Sequence, residues 1–158
     1  MSHSRHHARE VALQILYRYD VAALEKGTEK SAEKVQAVLS PSELAQDIAM
    51  HFEHFAVTPG VREFAANLVA GTLAQASEID LEIEKFANNW KISRMALIDR
   101  NLIRMAYYEM THFKDIPHTV TIDEAIELAK QFGSADAPSF VNAILDNIRK
   151  THLEAKRA

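Results

Sequence analysis

Near the start of the chain, apolar residues fall at Ala8, Val11, Ala12, Ile15, Leu16, Tyr19, Ala22 and Ala23. Recurrence at every third or fourth position is the period of one face of an α-helix, and it conflicts with the two-residue alternation of a half-buried strand. The same period returns over most of the remaining chain, and it limits the molecule to an all-α fold. Residues 26–39 are polar, open with Gly27 and read as a connector with room for one helical turn. SPSE at 40–43 then supplies an N-cap, a proline at the first helical position and a capping-box Glu. Leu44, Ile48, Phe52 and Phe55 continue the buried face behind it. TPG at 58–60 repeats the start signal. Val61, Phe64, Ala65, Leu68, Val69, Thr72, Ala76, Ile79, Ile83 and Phe86 form the longest stripe, with a break expected near Ser77.

Asn88, Asn89 and Trp90 interrupt the pattern. Beyond them Ile98, Leu102, Ile103, Met105, Ala106, Tyr107 and Met110 cover more than half of a helix circumference. A helix apolar over so wide an arc is central, with neighbours on several sides. DIPHTVTID holds Pro117 and the chain's one short β-prone run. Thr121 and Glu124 make a second capping box for a helix that ends at Phe132 and Gly133, with Gly as the stop. Asp136 is placed to cap a last helix, Pro138 is tolerated in its first turn, and Phe140, Val141, Ile144, Leu145 and Ile148 form its inner face. The pattern predicts six or seven helices, with no internal repeat.

Composition removes several function classes. With 158 residues, 47% of them hydrophobic and 25% charged, the chain is long enough for one domain with a real core, or for two very small subdomains. It has no cysteine, which excludes disulfide scaffolds, thiolate metal sites and cysteine nucleophiles. No apolar run approaches a membrane span, and the N-terminus lacks the apolar core of a signal peptide, so a cytoplasmic location is expected. The net charge of −4 argues against general coating of nucleic acid but leaves room for a local basic patch.

No Gly-rich phosphate loop, nucleophile elbow or HExxH is present, and the reading is not of an enzyme. Glu109 lies within the apolar arc of the central helix, where a carboxylate is either a general acid or base or is paired with an Arg or backbone amides. His3 and His7 are four residues apart and His51 and His54 three, but two imidazoles make an incomplete metal site. The opening MSHSRHHARE is basic until Glu10. Two readings stand. Arg5, Arg9 and Leu13 line one side of a helix, so two guanidiniums with imidazoles nearby suit a phosphate contact; or the stretch is a frayed basic terminus.

LIDRNLIRMAYYEM, DIPHTVTIDEAIELAKQFG and DAPSFVNAIL, with AREVALQILY near the N-terminus, resemble the NusB family of bacterial transcription antitermination factors in sequence and order. The resemblance spans nearly the whole chain and is weakest over residues 26–39. It implies one NusB-like helical RNA-binding domain over residues 1–158, built as two small three-helix bundles packed at a steep angle. It implies RNA binding without catalysis, cofactor or metal. The partners it implies are NusE, the small-subunit ribosomal protein of the tenth position, the single-stranded boxA element, notably in ribosomal RNA transcripts, and the RNA polymerase antitermination complex. It also admits a homodimer that hides the RNA surface.

Carried over by position, the resemblance assigns RNA binding to Arg5, His6, His7 and Arg9 in the first helix and to Asp136, Ser139 and Phe140 at the start of the last. It assigns the NusE surface to Tyr17 or Tyr19 and to Asp99 and Arg100 before the central helix. From the residues alone, Phe140 is equally a core residue, and Asp136 and Asp99 are equally helix caps. SRHH stands where family members often carry a run of arginines, and Ser139 stands where a Lys is common. Ala143 and Asp123 replace a frequent Gly and Asn. The lost cations predict weak RNA binding by the chain alone, a shallow salt slope and a steep dependence on the partner. A helical protein–protein adaptor with little RNA affinity is the alternative. The same helical module also occurs ahead of ribosomal RNA cytosine methyltransferases, but this sequence carries neither a cofactor fold nor a cysteine.

Overall fold

A computed structural model describes residues 2–25, 40–88 and 90–153, with the side chains of Ser2 and His3 outside that description. The connector expected over residues 26–39 falls outside it too. Seven α-helices and no strand occur among the described residues. The chain divides into two compact units, residues 1–76 and 77–158. No helix among the described residues is long and apolar enough to cross a membrane.

The first unit holds α1 (Ser2–Glu25), α2 (Pro41–His54) and α3 (Pro59–Ala74). In α1 the stripe from Ala8 to Leu16 is buried as its period requires, and both α1 and α2 pack on α3. Each fully buried Ile or Leu of that stripe contributes roughly 1.5–3 kcal/mol. At the start of α2 the Glu43 N–H donates to Ser40 Oγ at 3.2 Å, and the Ser40 hydroxyl donates to the Glu43 carboxylate at 3.0 Å. Thr58 stands at the N-cap of α3 without a side-chain cap bond, so Pro59 alone gives the start signal there. Phe55, expected inside, is 61% exposed. The helix ends at His54, the backbone turns left-handed at Ala56 (φ 50°), and Val57 takes the buried place.

The second unit holds α4 (Ala76–Phe86, from its second residue), α5 (Leu97–His112), α6 (His118–Phe132) and α7 (Ala137–Ile148). It carries four helices rather than three because the stripe from Val61 to Phe86 breaks at Gln75 and its second half joins the C-terminal unit. The wide apolar arc has its expected consequence: every residue of α5 from Asp99 to Met110 is buried. α6 and α7 pack on it and on each other.

Burying a whole helix buries its polar side chains as well, and each needs a partner. Arg104 meets Asp80 of α4 through Nε at 2.7 Å and Nη2 at 2.9 Å, a two-pronged ion pair whose Arg side chain is 5% exposed. Glu109, 1% exposed, accepts a hydrogen bond from the Thr121 hydroxyl. That contact corrects the second capping box. α6 begins at His118, with Pro117 in the N-cap position, so Thr121 already lies in the first turn and its hydroxyl serves the core. The β-prone run is therefore helical: packing against α5 outweighs a weak local preference.

Gly133 ends α6, but not through a left-handed turn, since its φ is −95°. A Cβ there would lie 2.6 Å from Ala137 Cβ and 2.9 Å from the Ala129 carbonyl oxygen. Glycine is required by the close approach of the two helices.

Candidate nucleic-acid interface

In the first unit, Arg5 and Arg9 sit four residues apart and so lie one above the other on α1. Both guanidinium carbons stand 5.3 Å from the centre of the Phe64 ring on α3, within cation–π range. Their surroundings differ. Arg5 is exposed, whereas Arg9 is 3% exposed. The expected ridge of two solvent-facing guanidiniums is thus corrected: Arg9 is spent on packing because Phe64 offers its ring to the face Arg9 occupies. His7 is exposed, with Nδ1 3.9 Å from the Glu10 carboxylate, and His6 is half-buried.

Tyr17 and Tyr19, two residues apart, project to opposite sides of the same helix. Tyr17 is 39% exposed. The Tyr19 hydroxyl donates to the Asp47 carboxylate of α2, which also receives Arg18 Nη2 at 2.8 Å. Burial, and then the bond to Asp47, pushes the Tyr19 phenol well above its ordinary range. Burial alone would raise Asp47, but the hydrogen bonds from Tyr19 and Arg18 outweigh it and hold the carboxyl below the usual value. Tyr19 is therefore a fastener between α1 and α2, and Tyr17 is the tyrosine of the pair that faces solvent.

In the second unit, Asp99 and Arg100 lie inside the first turn of α5 rather than before it, and both are buried. Arg100 Nη1 donates to the Ile92 carbonyl at 3.3 Å, so its guanidinium supports the short 3-10 turn Ile92–Arg94. Asp99 Oδ1 has no hydrogen-bond partner and lies 3.6 Å from where a Cβ on Gly133 would stand. Burial pushes the Asp99 carboxyl above its ordinary value. The cost of holding Asp99 as an anion is therefore present at neutral pH and disappears as pH falls toward the 3.8 of a free carboxyl. Asp99→Asn is expected to raise the unfolding free energy by about 1 kcal/mol at pH 7. Urea titrations should show the gain shrinking toward pH 4.

Asp136 stands at the N-cap of α7 but makes no side-chain cap bond. Its backbone is already helical (φ −87°, ψ −11°), whereas a capping side chain needs an extended residue. Asp136 and Ser139 are exposed, and Phe140 is half-buried. Phe140 meets Trp90 edge to face, with ring centres 5.7 Å apart and an interplanar angle of 73°. Trp90 is 51% exposed. In the sequence Trp90 stands only as an interruption of the helical pattern. The signal that would have found it is an aromatic followed by Lys91 and Arg94, with no acid from residue 88 to residue 98.

Among the described residues, no group of three or more His, Asp and Glu is placed to hold a metal ion. The chemistry on offer is recognition: exposed cations, an aromatic pair of which Trp90 is half exposed and Phe140 half-buried, and polar side chains at a helix start.

The model of the NusB family matches residues 6–150. The transcription antitermination protein NusB of Geotalea uraniireducens is 44% identical over 145 residues, covering 92% of this chain and 93% of that protein. The protein of the same name from Geobacter sulfurreducens is 43% identical over 151 residues, covering 94% and 95%. Among solved structures, NusB of T. maritima superposes with a TM-score of 0.70 at 29% identity, covering 98% of this chain and 97% of that one. A chain from the crystal structure of the antitermination factors NusB and NusE in complex with double-stranded RNA gives 0.75 at 25% identity, covering 96% and 100%. The chain belongs to the NusB family, and the relatives it matches along nearly their whole length are transcription antitermination proteins.

Proposed function

We propose that this protein is a cytoplasmic RNA-binding antitermination factor that pairs with NusE and grips the boxA element of nascent RNA, notably ribosomal RNA transcripts, within the RNA polymerase antitermination complex. The observation that carries the reading is the near full-length likeness to a chain crystallised with NusE and RNA. In this proposal Arg5, His6 and His7 meet phosphates, and Arg9 holds α1 on Phe64 so that Arg5 is presented. Asp136 accepts from a base edge rather than facing phosphate, which it would repel, and Ser139 and Phe140 lie beside it. Tyr17 contributes to the NusE surface in the first unit; in the second unit Asp99 and Arg100, assigned to the same surface, are buried, and Arg100 acts by supporting the Ile92–Arg94 turn. A homodimer of this chain would compete with NusE and hide the RNA surface.

The burial of Arg9 favours a second reading, in which few solvent-facing cations leave a helical adaptor with little RNA affinity. The test is to mix the protein with NusE of the same organism and a boxA RNA and to measure the mass of the product by light scattering. One copy of each is expected; absence of any NusE complex would sink the proposal. In that heterodimer Arg5→Ala should weaken RNA binding several-fold and flatten the salt dependence by about one phosphate contact. Unchanged RNA binding would favour the adaptor.

A further inference from the structure

Helix α2 carries two histidines, and they differ in setting. His54 is exposed, whereas His51 is 8% exposed. The His51 Nε2 is buried and has no hydrogen-bond partner. The Phe55 ring lies against the imidazole, with ring centres 4.5 Å apart and planes tilted by 40°. A neutral imidazole bears this setting at the cost of one unmade hydrogen bond. An imidazolium there needs a carboxylate.

The carboxylate that faces it is already claimed. Asp47 stands four residues before His51, on the same face of α2. Its Oδ2 receives the Tyr19 hydroxyl and, at 2.8 Å, Arg18 Nη2, both from α1. The other charged groups around His51 are cationic: the Arg18 guanidinium across from it and, when protonated, His54 on its own helix. From α3, Arg62 is turned elsewhere, to the Phe52 ring, the Glu53 carboxylate and the Val57 carbonyl. Burial and then Arg18 hold the His51 imidazole below its ordinary 6.5, and Asp47 works against them. The Arg18 side chain is 47% exposed, so its guanidinium can turn to water, whereas the buried Nε2 of His51 reaches water only if α2 moves.

We propose that the contact between α1 and α2 is acid-labile: a proton on His51 creates a second claimant for the Asp47 carboxylate, Arg18 gives way, and α2 loosens from α1. The element with two states is α2, and the inference stands apart from NusE and RNA. Linkage fixes its sign. Above 6.5 His51 is neutral in the folded and the unfolded chain, and the full stability is present. Below 6.5 the unfolded chain takes up the proton first, so stability falls with pH until the folded protein is protonated too. The loss that belongs to Asp47, whose carboxyl is held below 3.8, comes in a separate and more acid window.

The test follows the full-length protein, with its histidine rings labelled with carbon-13, by NMR from about pH 8 to about pH 5. His51 is assigned by the signal missing from His51→Gln. Its midpoint should lie below 6.5, and the Tyr19 ring signals should move with the same midpoint. In Arg18→Gln the His51 midpoint should rise, because the rival cation is gone. Urea unfolding at about pH 7.5 and about pH 5.5 gives the second readout. On acidification the folding equilibrium of the unsubstituted chain should fall by up to about tenfold more than that of His51→Gln, the most one group yields about one unit below its free value. A midpoint at or above 6.5, Tyr19 signals that stay in place, or the same pH dependence in His51→Gln would overturn the proposal. A low midpoint that Arg18→Gln leaves unchanged would make burial the whole cause and overturn the competition for Asp47. If His51→Gln does not fold, the contact with Phe55 assigns the ring, and the Arg18→Gln titration still decides.

Discussion

Asp80→Ala lowers the unfolding free energy by about 3–5 kcal/mol, the cost expected when one partner of a buried ion pair is removed. The Arg104 side chain is 5% exposed and the Asp80 side chain 17%, so water cannot readily replace the lost carboxylate. The guanidinium would keep the Asn101 side-chain oxygen at 3.4 Å, a long contact that carries no negative charge. For a chain of this size the loss corresponds to a melting temperature lower by roughly 10 °C. A double substitution separates the charge from the fold. Asp80→Leu with Arg104→Met removes both charges and fills similar volume, and it should recover most of the stability, because a buried pair often does no better than well-packed apolar side chains. Thermal unfolding of the single and double variants measures both effects. A single variant within about 1 kcal/mol of the unsubstituted protein would mean that the pair is solvated in solution.

Gly133→Ala is the second large effect. The backbone at Gly133 suits any residue (φ −95°), so torsional strain does not enter. The methyl group would stand 2.6 Å from Ala137 Cβ and 2.9 Å from the Ala129 carbonyl oxygen, and neither atom is the end of a flexible side chain. The first turn of α7 must therefore move away from the end of α6, at a cost of about 2–3 kcal/mol. That turn carries Ser139 and leads into Phe140, so the same substitution should weaken RNA binding by the heterodimer. Ala137→Gly added to Gly133→Ala removes one of the two collisions and should recover part of the stability. Urea unfolding of the two variants checks both statements. Full stability of Gly133→Ala would show that the α6–α7 turn yields more easily than its contacts indicate.

The helices were legible wherever a strong apolar period coincided with few competing signals. The stripe of α1 and the wide arc of α5 reappear as buried faces because hydrophobic period directly encodes which side of a helix must be covered. Local signals were less faithful. SPSE forms a true cap, but Thr121 and Asp136, both good capping types, make no cap bond. Pro117 starts α6 earlier and frees Thr121 for Glu109, and the backbone of Asp136 is already helical. Gly133 was placed correctly as a stop, but its reason is contact across space, which no local pattern reveals.

The candidate site was legible as residue types and not as exposures. Arg9 and Arg5 share a helix face, and only the position of Phe64, more than fifty residues later in the chain, decides that Arg9 is buried. Tyr17 and Tyr19 look equivalent until Asp47 claims one of them. Trp90 escaped because it breaks a helical pattern, and a broken pattern reads as a loop until Phe140 is seen against it.

The central claim is that an acidic helical body binds unpaired RNA weakly alone and usefully once NusE is beside it. Its most direct measurement is the dissociation constant for boxA RNA, with and without NusE, at two salt concentrations. The account predicts a shallow slope for the protein alone, near the roughly −0.7 per phosphate contact of one or two contacts on a single strand. It predicts affinity at least about tenfold higher, with a steeper slope, for the heterodimer. Equal affinity in the presence and absence of NusE would contradict it.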